Sequence, residues 1–265
     1  MNETLRRLRL SVPLAAALTG AVHAGEIIVD RSGAGNTLDI ASALALAQDG
    51  DLILVRPGTY REDLLLDGLS VSIVAQQEGT AVVEGRVVIR SISTHQPVLL
   101  HGLRFEGVSD PALDTQLPTL EGLDLDGQLT VARCAFVGAP AADSTQAFDP
   151  VGGAGARLED ALRFTARASI FLGGDGVDEL NCTDGDGGDG LQLESSRAAL
   201  WGCELGGGGG MSCTFDPGDG PGEGGVGLRA EGSRIFLSGC AMDGGTGGEN
   251  GDFIPLPGGD GGNGA

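Results

Sequence analysis

Nine residues, Gly173-Gly174-Asp175-Gly176-Val177-Asp178-Glu179-Leu180-Asn181, satisfy the pattern G-G-x-G-x-D-x-U-x. In that pattern, backbone carbonyls and a carboxylate offer hard oxygen ligands to calcium. Asp184, Asp186 and Asp189 lie in the same stretch, so Asp175, Asp178, Asp184, Asp186 and Asp189 form the predicted calcium-binding set. Such motifs work in tandem, because each ion lies between successive turns. Here one full copy is present, and GGDGLQLES has Gln192 where the Asp should be. The competing reading is that Asp-Gly pairs make turns and keep loops solvated.

The cysteines fall into two groups. Cys182 and Cys213 each precede a Thr in consecutive Gly-rich loops, and a disulfide between them is predicted to staple those loops. Cys134, Cys203 and Cys240 occupy one recurring position and are expected to stack as small buried hydrophobes. Neither group has the C-x-x-C spacing of a zinc or redox site. Arg133, Arg167 and Trp201 fall at outward corners of the same recurring unit, which makes them candidates for a ligand-binding face. No catalytic residue can be singled out among so many carboxylates.

These residues are positioned by a pattern that occurs five times: two apolar residues in alternation, a two-residue step, and two more. The copies are Val98/Leu100/Leu103/Phe105, Leu129/Val131/Cys134/Phe136, Phe164/Ala166/Ser169/Phe171, Ala198/Leu200/Cys203/Leu205 and Ile235/Leu237/Cys240/Met242, spaced 31, 35, 34 and 37 residues apart. Alternation is the period of a strand, and the step flips parity once, as at a corner between two short strands. One copy cannot bury its own core, whereas five can stack into a solenoid. Gly122, Gly155, Gly190 and Gly227, each opening a further apolar pair, precede the last four copies by 7, 9, 8 and 8 residues. Three strands per coil, and hence three parallel sheets, are predicted. The excess length of each coil then forms long Gly/Asp-rich loops along one edge.

Of the 265 residues, 48 are Gly, and the formal charge is −21 with Arg as the basic residue throughout. A polyanion such as nucleic acid, or an anionic membrane, is repelled by that balance. A cation, an extracellular protein or a polysaccharide is the expected partner. Arg6, Arg7 and Arg9, the apolar stretch from Leu10 to Val22 and Val22-His23-Ala24 have the layout of a signal peptide over residues 1–24. Its removal takes away three Arg and Glu3 and leaves a charge of −23. No later apolar run has the length of a membrane span, and the expected location is outside the cytoplasm: periplasm, cell surface or medium.

Residues 25–265 then read as one domain. Residues 25–97 make a cap and entry coils, 98–243 the repeated coils, and 244–265 a Gly-rich tail. That tail leaves the last coil open, covers it with FIPLP, or belongs to a longer chain. In the entry segment, EIIVD is a strand, and Ile40, Leu44 and Ala47 have helical spacing behind Asp39 as a cap. DLILVRPGTYRE comes next, with a G-x-Y-x-E motif at Gly58, Tyr60 and Glu62, and then LLLDGLSVSIVAQ. These features resemble the N-terminal portion of right-handed parallel β-helix proteins of the pectin-lyase-like group. The resemblance implies an all-β, right-handed, three-sheet solenoid with a short capping helix. The esterase, hydrolase and lyase motifs of that group do not occur here. The expected function is therefore a secreted binding scaffold presenting acidic loops, the alternative being a polysaccharide-cleaving or esterase activity on the same fold.

Overall fold

The computed structural model describes residues 24–113, 115–142, 150–177, 185–211 and 222–247. Residues 1–23 of the predicted signal peptide, the tail beyond residue 247, and Cys182, Cys213, Asp178 and Asp184 lie outside them. Helix α1 (Ile40–Leu46) comes after strand β1 (Glu26–Val29) and buries Ile40, Ala43 and Leu44 against the first coil. Asp39 caps it as expected, its Oδ1 accepting from Ser42 N at 2.7 Å. The G-x-Y-x-E motif proves to be a clamp on the same cap. The Glu62 carboxylate accepts from Ile40 N and Ala41 N, satisfying two orphan donors of the helix N-terminus. The Tyr60 hydroxyl donates to Arg56 O from a buried ring.

The chain then winds as a right-handed parallel β-helix. Strands β2 (Leu52–Val55), β3 (Gly58–Arg61) and β4 (Leu64–Asp67) make one coil, and β5 (Ser72–Ala75), β6 (Ala81–Glu84) and β7 (Val87–Ile92) the next. Strands β8 (Pro97–His101) and β9 (Arg104–Glu106) lead to the long strand β10 (Leu120–Ala132) and to β11 (Ala135–Val137). The later coils are β12 (Ala156–Arg167) with β13 (Ile170–Leu172); β14 (Leu191–Glu194), β15 (Arg197–Trp201) and β16 (Glu204–Gly206); and β17 (Leu228–Glu231), β18 (Arg234–Ser238) and β19 (Ala241–Asp243). Every pairing is parallel and joins one coil to the next. The first sheet stacks β4, β7, β10, β12, β14 and β17. The second stacks β1, β2, β5, β8, β10, β12, β15 and β18, and the third stacks β3, β6, β9, β11, β13, β16 and β19. Because β10 and β12 run unbroken through both, the first two sheets are continuous there rather than three separate strands per coil. Asp124 and Asp160 bend them at positive φ (53° in each).

The five predicted copies superpose in register, with Val98, Leu129, Phe164, Ala198 and Ile235 on consecutive coils. Phe105, Phe136 and Phe171 stack with centroids 4.9 and 5.4 Å apart. One expected register is corrected. The residue equivalent to Gly155 and Gly190 is Thr119, not Gly122, since Leu120 pairs with Ala156 and Ala156 with Leu191. Gly122 instead faces inward, where a Cβ would lie 2.5 Å from Leu158 Cδ2.

The described parts of the Gly-rich stretches are tied into the solenoid. Among the described residues, tetrads of the form Gly-Gly-x-Gly begin at Gly152, Gly173, Gly187, Gly207, Gly224 and Gly244. Each lies in an arm that leaves the third sheet or returns to the first. The N–H groups of Gly173 and Gly176 bond to Gly206 O and Gly209 O of the next coil's outgoing arm, while Gly174 N bonds to Gly153 O of the facing, incoming arm. Gly187, Gly190 and Gly188 repeat this toward Glu223, Val226 and Gly174. Bond directions thus recur every third residue, the period of an extended polyproline-II-type helix. The two kinds of arm interleave in a single file: Gly153, Gly174, Gly188, Gly208, Gly225 and Gly245 each donate to the one before, starting from Ala139 O, at 2.7–2.8 Å. Two positions in three have no room for a side chain. A Cβ on Gly208 would lie 2.0 Å from Gly174 O, whereas one on Gly209, the outward third position, meets nothing closer than the Thr246 hydroxyl at 3.4 Å. Among the described residues no helix is long and apolar enough to cross a membrane.

Two outcomes are expected from this packing and from the entry coil. Gly208→Ala lowers unfolding stability by about 1–3 kcal/mol through overpacking, while Gly209→Ala is close to neutral, both read by urea or thermal unfolding. In the entry coil, hydrogen bonds from Ser32 hold the Asp30 carboxyl below the ordinary 3.8, those from Ser42 do so for Asp39, and the Gln48 and Gly25 N–H groups do so for Asp51. A depressed carboxyl stabilises above its unfolded value and loses that contribution as pH falls through the folded one. The protection of β1 and α1 amides, measured against their intrinsic exchange rates, is therefore expected to fall below about pH 4 before that of β10 and β12.

Candidate polyanion-binding face

Outward side chains of the second sheet stand in rows that run along the solenoid axis, because strand registers match from coil to coil. One row reads Gln128, Arg163, Arg197, Arg234. The next reads Thr130, Thr165, Ala199, Phe236, and the third Ala132, Arg167, Trp201, Ser238. Neighbouring strands are about 4.8 Å apart per coil, so the three arginines of the first row span about 10 Å. The middle row is small until Phe236, which is 56% exposed. The strip is thus a shelf floored by Thr165 and Ala199, walled on one side by arginines and on the other by Arg167 and Trp201.

Arg167 and Trp201 come together on this face. The Arg167 guanidinium sits 4.8 Å from the Trp201 ring centroid, and Trp201 lies 5.7 Å from Phe236 at a tilt of 52°. Arg133 does not join them. It occupies the corner turn at φ 52°, equivalent to Ala168 and Gly202, and pairs with Glu78 at 3.1 Å. Its sequence offset from Cys134 is one residue, while that of Arg167 from Ser169 is two, and that single residue separates a turn position from a strand end. Sequence reasoning missed Arg163, Arg197 and Arg234, although each immediately precedes the first apolar residue of its copy.

What marks these arginines is that, among the described residues, no carboxylate pairs with them. Eight of the thirteen arginines beyond the signal segment form ion pairs with described residues. Of the five that do not, four are Arg163, Arg167, Arg197 and Arg234; the fifth, Arg31, lies over the Tyr60 ring at 6.0 Å. In a chain of charge −21, acidic partners are abundant, so an unneutralised row is not a default of composition.

The arm aspartates are engaged elsewhere. Asp175 Oδ1 accepts from Gly209 N at 2.8 Å, Asp186 Oδ1 from Glu223 N at 2.7 Å, and Asp189 Oδ1 from Val226 N at 2.9 Å. The other Asp189 oxygen accepts from Arg229 Nε and Gln192 Nε2 at 2.6 and 2.8 Å. Each carboxylate ties its arm to the next coil, and among the described residues no three metal-ligating side chains converge. Cys134 and Cys203 are buried and Cys240 is half-buried. Burial pushes the Cys134 thiol up to about 12 and raises that of Cys203 as well, which makes both weak nucleophiles at neutral pH.

Since Arg133 is strained and off the shelf, Arg133→Gly raises unfolding stability by up to about 1 kcal/mol and leaves ligand binding by the face unchanged, as a paired thermal and binding measurement would register.

No protein-family model and no curated protein matches the chain. Among solved structures, a PL6 family alginate lyase, AlyGC, is similar at 13% identity and a TM-score of 0.34, over 91% of this chain and 39% of that one. Pectate lyase Pel9A is similar at 13% identity and a TM-score of 0.31, over 83% and 79%. The chain spans 39% of the length of the alginate lyase, and neither likeness bears on activity. Strand order, register and coil-to-coil pairing identify the fold by themselves: a parallel β-helix.

Proposed function

We propose that the protein is an exported, non-catalytic β-helix scaffold that holds an acidic polysaccharide along the shelf of the second sheet. The observation that supports this reading is the row Arg163, Arg197 and Arg234, unpaired among the described residues, beside the exposed Arg167–Trp201–Phe236 group. Guanidinium groups at regular spacing suit carboxylates carried at regular spacing, through bidentate charge-assisted hydrogen bonds. Trp201 and Phe236 offer apolar surface to the sugar ring. A uronic-acid polymer has sparse charge compared with nucleic acid, so the overall negative field of the protein opposes it less.

A cleaving activity is the second reading. It is favoured by a cleft of about 440 Å³ at the root of the arms, where Arg157 and Arg229 face Asp186, Asp189 and Glu223.

Binding is tested with polygalacturonate and alginate oligomers titrated calorimetrically. Arg197→Glu weakens binding by about tenfold or more, Trp201→Ala weakens it less, and added salt weakens the wild type. Unchanged affinity in the triple charge reversal of Arg163, Arg197 and Arg234 would sink the proposal. The appearance of new reducing ends during incubation, abolished by Arg157→Ala but not by Arg197→Glu, would favour the second reading.

A further inference from the structure

The ladder of residues at the third inward position runs Leu103, Cys134, Ser169, Cys203, Cys240. Only its last two members are cysteines in adjacent coils. Their neighbours Glu204 and Ala241 pair in register, and Ala241 N donates to Cys203 O at 2.9 Å, so the two cysteines themselves stack in register. Each comes directly after a glycine at positive φ, Gly202 at 59° and Gly239 at 64°, so both enter the third sheet through the same local turn. In-register residues of adjacent parallel strands have Cα atoms about 4.8 Å apart, inside the range that a disulfide bridges. The Cys240 thiol already leans back one coil, its Sγ lying 3.5 Å from Leu200 O. The coil of Cys240 is the less buried of the two, with Phe236, Leu237 and Ser238 exposed, which leaves Cys240 room to close the remaining gap between Cβ atoms.

From this geometry we infer that Cys203 and Cys240 are an oxidisable pair, forming a disulfide that clamps the final coil to the one before it. The oxidant is a disulfide such as glutathione disulfide. The half-buried Cys240, as its thiolate, attacks one sulfur of the oxidant, which breaks that S–S bond and releases one glutathione thiolate. The Cys203 sulfur, losing its proton, then attacks Cys240 Sγ and displaces the second glutathione. Two thiols of the protein are oxidised, one disulfide is reduced, and the two protons end on the two glutathione thiols. The raised basicity of Cys203 slows attack from solution, but the second step is intramolecular and the partner is adjacent. Cys134 has no such partner, because Leu103 and Ser169 flank it in the ladder.

The experiment uses the full mature chain carrying Cys182→Ser and Cys213→Ser, which leaves Cys134, Cys203 and Cys240. It is equilibrated with glutathione disulfide, alkylated under denaturing conditions and digested with trypsin. The expected result is loss of two of three alkylatable thiols, linkage of the peptide after Arg197 to the peptide after Arg234, and a rise in the thermal midpoint that reductant reverses. Cys134→Ala leaves all of this unchanged, whereas Cys240→Ser abolishes the linkage. Three alkylatable thiols after oxidation, a stable mixed disulfide at Cys240, or a link that involves Cys134 would each overturn the inference. The same two serines in place of Cys182 and Cys213 keep the outcome separate from any disulfide between the arms.

Discussion

Nearly every element of this molecule depends on one constraint: a backbone N–H finds its acceptor one coil away. In a helix or hairpin the partner is a few residues distant in sequence, and local propensity decides much. Here the acceptor is about 35 residues away, as in the pairing of Leu129 with Phe164, and a coil is stable only when its neighbour presents the same register. That is why the inward positions read as columns, why Phe105, Phe136 and Phe171 stack, and why the outward residues fall into rows that act together. The constraint extends past the sheets. The arms obey it too, with glycine at most positions where another arm's backbone passes.

The repeat was legible because alternation and a fixed corner are properties of the one-dimensional sequence. The helix cap at Asp39 was legible for the same reason, being a local interaction. Other features were not. Gly122 is inward because it lies two residues after Leu120 and opposite Leu158, and β10 carries an extra residue between Leu125 and Gln128; neither is announced by a local pattern. Arg133 and Arg167 look equivalent in sequence, and one residue of offset puts the first into a turn and the second on a strand. In the glycine tetrads the carboxylates draw attention, yet the informative letters are the glycines themselves. Two adjacent positions emptied of side chain and a third left free describe a lattice between coils. Asp189, held by Arg229 and Val226, shows a carboxylate serving as a strut between coils.

Charge is partitioned rather than uniform. Acidic side chains dominate the composition, yet most arginines are drawn into pairs with them, such as Arg61 with Glu84 and Arg90 with Asp67. Surface pairs of this kind add little stability. Their effect is instead to leave the four arginines of the second sheet as the conspicuous positive feature among the described residues. A global charge reads as repulsion toward anions, but a row of fixed cations with small residues between them sets up a local field along one line. Long-range repulsion would slow the approach of an anionic chain, and short-range contacts would govern whether it stays.

The threefold phase of the arms sets a rule for how their length can change. A residue inserted into an ordinary loop displaces the neighbouring segment by a few ångströms and is absorbed. Inserted into one of these arms, it would rotate every later position by a third of a turn, driving an outward side chain such as Asp175 or Val226 into a neighbouring backbone and turning a glycine to solvent. Insertions of three residues keep the phase and simply lengthen the arm. Along the described reach of each arm, length therefore changes in whole turns, while the sheets beneath stay as they are.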